Sequence, residues 1–136
     1  MLRALDSNIL IDIRQGHPTF GPPSVAALIE ARLRGPILIC DIVYAEMCTL
    51  FPSQQMCDEF LDSLQLAPEH LNRASCFLAS RSWAGYLRSG GKRTRILPDF
   101  LIAAHAVNQA DCLITRDRGF YRSHFPKLKI IDPTVA

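Results

Sequence analysis

The chain has 136 residues, 49% hydrophobic and 21% charged, enough for one domain with a true core and unlike an intrinsically disordered chain. Its formal net charge of +2 is too small to mark the whole chain as a polyanion binder, so any affinity for nucleic acid must come from where the basic residues cluster. The five cysteines form no CxxC pair, the N-terminus lacks a signal-peptide pattern, and no apolar run approaches the ~20 residues of a membrane span, which together predict reduced core thiols in a soluble cytoplasmic protein.

Leu2–Leu5 predicts a first strand, and Asp6-Ser7-Asn8 supplies the turn and cap into a helix carrying Ile9, Leu10, Ile11 and Ile13. Residues 16–23, with their prolines and glycines, predict a loop, after which Ser24 caps a helix bearing Val25, Leu28 and Ile29. Gly35-Pro36 stops that helix, and Ile37–Cys40 reads as a second buried strand. Asp41 then caps a third helix, which presents Glu46 a little over one turn in. Ser53 begins another, with Met56, Phe60, Leu61 and Leu64 as its apolar stripe and Asp58, Glu59 and Asp62 on its solvated face. Pro68-Glu69 is expected to begin a further helix carrying Leu71, Ala74, Phe77 and Leu78. Ser89–Arg95 reads as a basic hinge, and Leu128–Ile131 as the last strand.

The central stretch is 97–120. Pro98 and Asp99 suit the first turn of a helix, where proline loses nothing and a carboxylate meets the positive end of the helix. Phe100–Val107 is apolar nearly all round, which predicts a buried helix, closed by Ala110-Asp111. Cys112–Thr115 has the continuous apolar character of a central parallel strand, and Arg116–Gly119 follows as a turn. The order of elements predicts an α/β fold with a parallel central sheet flanked by helices, in one domain over 1–136.

In such a sheet Asp6, Glu46, Asp99 and Asp117 lie at one edge, the edge where α/β proteins bind ligands. Four carboxylates together are tolerable only if some are protonated or a cation sits among them. Oxygen donors with neither His nor Cys nearby in sequence point to Mg²⁺ or Mn²⁺. Ions held in this way activate water and neutralise a phosphodiester during in-line displacement. Basic residues crowd the acids: Arg88, Lys92, Arg93 and Arg95 precede Asp99, and Arg116, Arg118 and Arg122 surround Asp117. Such groups would hold a polyanion that the carboxylates alone would repel.

Four segments carry a family resemblance: Leu-Asp-Ser-Asn-Ile-Leu-Ile-Asp (5–12), Ala-Glu (45–46), Pro-Asp-Phe-Leu-Ile-Ala-Ala-His-Ala (98–106) and Ile-Thr-Arg-Asp-Arg-Gly-Phe (114–120). In order and spacing the chain resembles the PIN-domain ribonucleases, and among them the VapC-type toxins of prokaryotic toxin–antitoxin pairs. The resemblance implies a PIN-like three-layer sandwich and an acidic quartet of Asp6, Glu46, Asp99 and Asp117, with Asn8 and Thr115 as its polar neighbours. It implies metal-dependent RNA cleavage, a homodimer, and a cognate antitoxin whose tail occupies the cleft. Asp6 and Asp99 are the expected metal ligands, Asp117 joins them directly or through water, and Glu46 orients water or acts as a general base. Arg93, Arg95, Arg116 and Arg118 are the expected RNA contacts, those of the 88–95 loop on charge alone. A helix at 54–66 is a candidate dimer contact.

Other acids and His105 read as structural: Asp12 as a helix-surface acid, Asp111 as a capping acid, and His105 as a hydrogen-bonded packing residue. Two competing functions are a phospho-acceptor signalling domain and an inactive PIN module that only binds RNA or a partner. The first wants adjacent acids after the first strand and a lysine after the last, whereas this chain has a lone Asp6 and ends its last strand Ile-Ile-Asp-Pro. The intact quartet argues against the second. A dinucleotide-binding enzyme is disfavoured because no GxGxxG follows the first strand.

Overall fold

The computed structural model describes residues 1–92 and 96–135. In chain order these form β1 (Arg3–Leu5), α1 (Ser7–Arg14), α2 (Gly21–Arg34), β2 (Ile37–Cys40), α3 (Asp41–Cys48) and α4 (Gln54–Ser63). Then come β3 (Ala67–Glu69), α5 (Arg73–Arg88), α6 (Leu97–Gln109), β4 (Cys112–Ile114), α7 (Arg118–His124) and β5 (Ile130–Ile131). The strands make one parallel sheet in the order β3-β2-β1-β4-β5, flanked by the helices, as expected from the sequence. Chain order runs outward from β1 in one direction to β3, then returns to β4 on its other side. The switch point between β1 and β4 is where such sheets leave a crevice at the carboxyl ends of their strands.

The three central strands are buried along their whole length, which is why β2 and β4 read as unbroken apolar runs. The edge strands β3 and β5 are only partly buried. Along α6, Phe100 and Ile102–Ala106 are all buried, so this helix is enclosed on most sides. Phe100 is fully buried, and its ring meets Tyr86 at 5.5 Å, Phe120 at 5.2 Å and Phe125 at 5.9 Å. Removing such a ring from water is worth roughly 2–3 kcal/mol. The same packing fixes the first turn of α6, and with it Asp99.

Several boundaries differ from the sequence expectation, each for a physical reason. Gly21-Pro22-Pro23 is the first turn of α2 rather than loop, since proline is well suited there, and Ser24 is buried inside the helix instead of capping it. Pro68-Glu69 belongs to β3; proline is tolerated because β3 is an edge strand, and the helix begins only at Arg73, capped by Asn72 through Ser75. On α5, Phe77 and Ala74 are exposed, while Ser75 and Ala79 face inward. On α4 the inward residues are Cys57 and Leu61, and Met56 is exposed; Asp58, expected on the solvated face, accepts the Tyr44 hydroxyl at 2.6 Å. Asp41 is the first residue of α3 rather than its cap, and holds His70 and the Leu71 N–H. The turn predicted at Arg116–Gly119 is shorter than expected and passes at once into α7.

Candidate active site

Asp6 follows β1 directly, and its backbone N–H donates to the Ile114 carbonyl at 3.0 Å. This bond extends the β1–β4 ladder one residue beyond the strand and sets Asp6 beside Thr115. The Asp6 side chain is buried, and its Oδ2 accepts from Thr115 Oγ1 at 2.8 Å, from the Tyr121 hydroxyl at 2.8 Å and, at 3.4 Å, from Asn8 Nδ2. Thr115 Oγ1 in turn accepts from Asn8 Nδ2 at 3.0 Å and from the Asp117 N–H at 3.1 Å, so this one hydroxyl ties Asp6, Asn8 and Asp117 together.

The other oxygen of Asp6 is less satisfied. Ser7 Oγ lies 3.4 Å from Asp6 Oδ1 but 2.7 Å from Glu46 Oε1. A hydroxyl has one proton to donate, and the shorter bond takes it. Asp6 Oδ1 is therefore the oxygen without a side-chain donor of its own; the Ser7 backbone also hydrogen-bonds this carboxylate, while the Ser7 hydroxyl reaches Glu46 on α3. Asn8 Oδ1 is buried with no partner among the described residues. A buried acceptor in that condition is costly unless something completes it.

Asp99 occupies the third position of α6, where its carboxylate accepts from the Ile96 N–H at 3.3 Å. Asp117 stands at the N-terminal boundary of α7. All four acids share one electrostatic environment. Burial pushes the Asp6 carboxyl above the ordinary carboxylate range against the opposing effect of its hydrogen bonds, and Asp117 adds repulsion. Burial likewise raises Glu46, with Ser7 opposing and Asp6 and Asp99 adding to the rise. Tyr121 is held well above its usual value, by burial first and then by Asp6, so its hydroxyl stays a proton donor.

The donor chemistry fits a hard divalent cation: oxygens only, mutually repelling carboxylates, a carboxylate oxygen of Asp6 with no side-chain donor of its own, and the orphaned amide oxygen of Asn8, whose Nδ2 reaches Asp6 and Thr115. As the side chains lie, no three His, Cys, Asp or Glu among the described residues form a ready cage.

The expected RNA contacts are placed differently from one another. Arg93 and Arg95 lie outside the described residues. Arg116 is paired with Asp12 through two bonds, Nε to Oδ2 at 2.7 Å and Nη2 to Oδ1 at 3.2 Å, and its guanidinium lies over the Phe20 ring. Arg118 pairs with Asp132 at 3.0 Å. Asp12 is thus a buried clamp rather than a helix-surface acid; only 3% of it is exposed. Asp111 accepts the Leu2 N–H at 2.5 Å, and His105 is buried with Nε2 at 2.8 Å from Glu69, the packing role its setting predicts.

Sequence reasoning missed Tyr121 and the bridging part of Ser7. Tyr121 lies four residues beyond Asp117, the spacing of one helical face, but only a helix at 118–124 makes that spacing informative.

Comparison with known proteins supports the same fold. The family model described as "PIN domain" matches residues 3–125. Similar solved structures include VapBC2 from Rickettsia felis bound to a promoter DNA fragment, with TM-score 0.76 and 21% identity over 97% of this chain and 98% of that one. VapBC-1 from nontypeable Haemophilus influenzae gives TM-score 0.72 and 20% identity over 99% and 100% of the two chains. FitAcB from Neisseria gonorrhoeae gives 0.66 and 18% over 98% of each. No curated protein matches by sequence.

Proposed function

Because the chain belongs to the PIN domain family, whose members are nucleases, we propose that it is a divalent-metal-dependent endoribonuclease hydrolysing RNA phosphodiester bonds, and the toxin of a toxin–antitoxin pair acting in the cytoplasm. The observation that carries this is the charge-coupled group Asp6, Glu46, Asp99 and Asp117 at the β1/β4 switch point, with the Asp6 carboxylate held in place by Thr115 and Tyr121 donating to one of its oxygens.

Asp6, Asp99 and Asp117 are the residues that would hold Mg²⁺ or Mn²⁺, with Asn8 and Thr115 supporting them. When bound, the ion supplies an activated water and neutralises charge on the phosphate. Thr115 and Tyr121 keep the Asp6 carboxylate in one orientation, so little reorganisation accompanies binding. Glu46 is raised above the ordinary carboxylate range, which improves it as a proton acceptor, and Ser7 aims it toward Asp6. Arg93, Arg95, Arg116 and Arg118 are the proposed contacts to the RNA backbone, the last two after their carboxylate partners are satisfied.

The antitoxin partner rests on the fold shared with proteins solved as VapBC and FitAB assemblies. A homodimer belongs to the same proposal. Exposed apolar surface suits such partners: on α2, Val25, Ile29 and Leu33 are exposed, and two apolar cavities of about 320 and 540 Å³ run beside them. No helix among the described residues is long and apolar enough to cross a membrane.

The test is direct. The purified chain, mixed with a structured RNA pool, is expected to yield discrete fragments with Mg²⁺ or Mn²⁺ and none with a chelator. Expression in growing cells should arrest growth until the product of the adjacent gene is co-expressed. Intact RNA under both metals, or a stable mass increase on exposure to a small phosphodonor, would set the proposal aside.

A further inference from the structure

At the far end of β1 from Asp6, a second charged residue lies inside the protein. Arg3 is only 7% exposed, yet among the described residues it forms no ion pair. The one hydrogen bond of its side chain among the described residues runs from Nη1 to the Met1 carbonyl at 3.5 Å, the outer limit for such a bond. A guanidinium stays charged at any accessible pH and carries five N–H donors in a planar fork. Taking such a group out of water without an anion is unfavourable, so the neighbourhood of Arg3 is electrostatically incomplete.

That neighbourhood is also open. Arg3 lines a cavity of about 320 Å³ between α2 and the β4–β5 side of the sheet, walled by Ala27, Glu30, Arg34, Ile114 and Ile131. Glu30, the carboxylate in the wall, is already paired with Arg34 at 3.3 Å. The lining therefore holds two guanidiniums and one carboxylate, a surplus of one positive charge. Its small alanines leave room that no side chain fills.

We propose that this cavity is an oxyanion site, with Arg3 as the fixed fork and Arg34 as a mobile second donor, taking a phosphate or small carboxylate group. The chemistry common to both is two oxygens in one plane, which a guanidinium meets bidentately. The site is separate from the acidic group: it lies on different residues and attracts the opposite charge.

The experiment uses the full chain with a chelator present, so that the acidic group takes no part. Thermal unfolding is followed against inorganic phosphate and, separately, acetate, with chloride holding ionic strength constant. One of the two anions is expected to raise the Tm saturably, as binding to the native state requires, and which one does so identifies the ligand class. Arg3→Leu should abolish the rise without harming the fold, since the group removed is a buried charge with no ion pair. Arg3→Lys keeps the charge but loses the fork, and should weaken the apparent affinity at least about tenfold; it decides the matter if Arg3→Leu folds poorly. No saturable rise with either anion would overturn the proposal. So would a rise that both variants retain. RNA cleavage plays no part in this readout, so the anion site and the nuclease proposal stand or fall separately.

Discussion

The Tyr121 hydroxyl donates to Asp6 Oδ2 at 2.8 Å, across 115 residues of sequence, with both side chains buried. It is a bond to a carboxylate in a low-dielectric setting, of a kind worth about 1.5–3 kcal/mol. Tyr121→Phe removes the hydroxyl and little else. The variant is expected to fold, to lose about 1.5–3 kcal/mol in chemical denaturation at a pH where Asp6 is ionised, and to lower kcat far more than KM. Unchanged stability and kcat would show that Thr115 alone orients Asp6.

The acidic group also sets how the metal-free protein responds to pH. Asp6 and Glu46 are both raised above the ordinary carboxylate value, chiefly by burial. Between that ordinary value, about 4, and the raised ones, the folded chain binds more protons than the unfolded chain, so their contribution to stability falls as pH rises. With a chelator present, the Tm should be lower at about pH 8 than at about pH 5, by a few degrees. Asp6→Asn should flatten this difference, and so should saturating Mn²⁺ on the parent. A parent whose metal-free Tm climbs steadily over this range, with no change in Asp6→Asn, would contradict the assignment.

Arg116 and Asp12 join the β4–α7 turn to α1. Asp12→Asn should cost about 1–3 kcal/mol, toward the lower end because Arg116 keeps access to water. Combined with Arg116→Gln, the loss should be smaller than the sum of the two single changes, since each alone strands the other partner. A strictly additive pair in a double-mutant cycle would mean that the clamp carries no coupling.

The places of three of the acids in the fold were legible in the sequence from local grammar, Asp6 and Asp117 just beyond apolar runs and Asp99 beside a proline at a helix start, whereas Glu46 lies within α3, where no end signal marks it. The supporting shell was not. Asp12 meets an arginine 104 residues away, and its position on a helix alone suggested solvent. β3 was hidden because Pro68 reads as a helix start, whereas its place at the sheet edge makes proline acceptable there. The start of α2 was hidden by the opposite error, two prolines taken for a loop where they open a helix. Local signals place residues at element ends; which distant side chain meets them is decided only by packing.

Thiol chemistry offers a check that does not depend on function. Cys57 is fully buried and its thiol is pushed up to about 11, by burial first and then by the hydrogen bond with Cys48. Cys76 is exposed. Alkylation at about pH 8, read by peptide mass, should mark Cys76 promptly and Cys57 only on unfolding. Rapid native-state labelling of Cys57 would show that α3 and α4 part readily.

Asp99→Asn tests the central claim most directly. Asparagine keeps the shape and can still serve the first turn of α6, but removes the negative charge that a hard cation requires. The metal-free variant should be as stable as the parent or slightly more so, since one like charge has gone from the group that raises Glu46. Mn²⁺ should raise the Tm of the parent well above that of the variant. RNA cleavage by the variant should fall by orders of magnitude, while its RNA binding persists. Cleavage at the parent rate with an unaltered Mn²⁺ response would make Asp99 only a helix-end charge and would contradict the metal-dependent nuclease site.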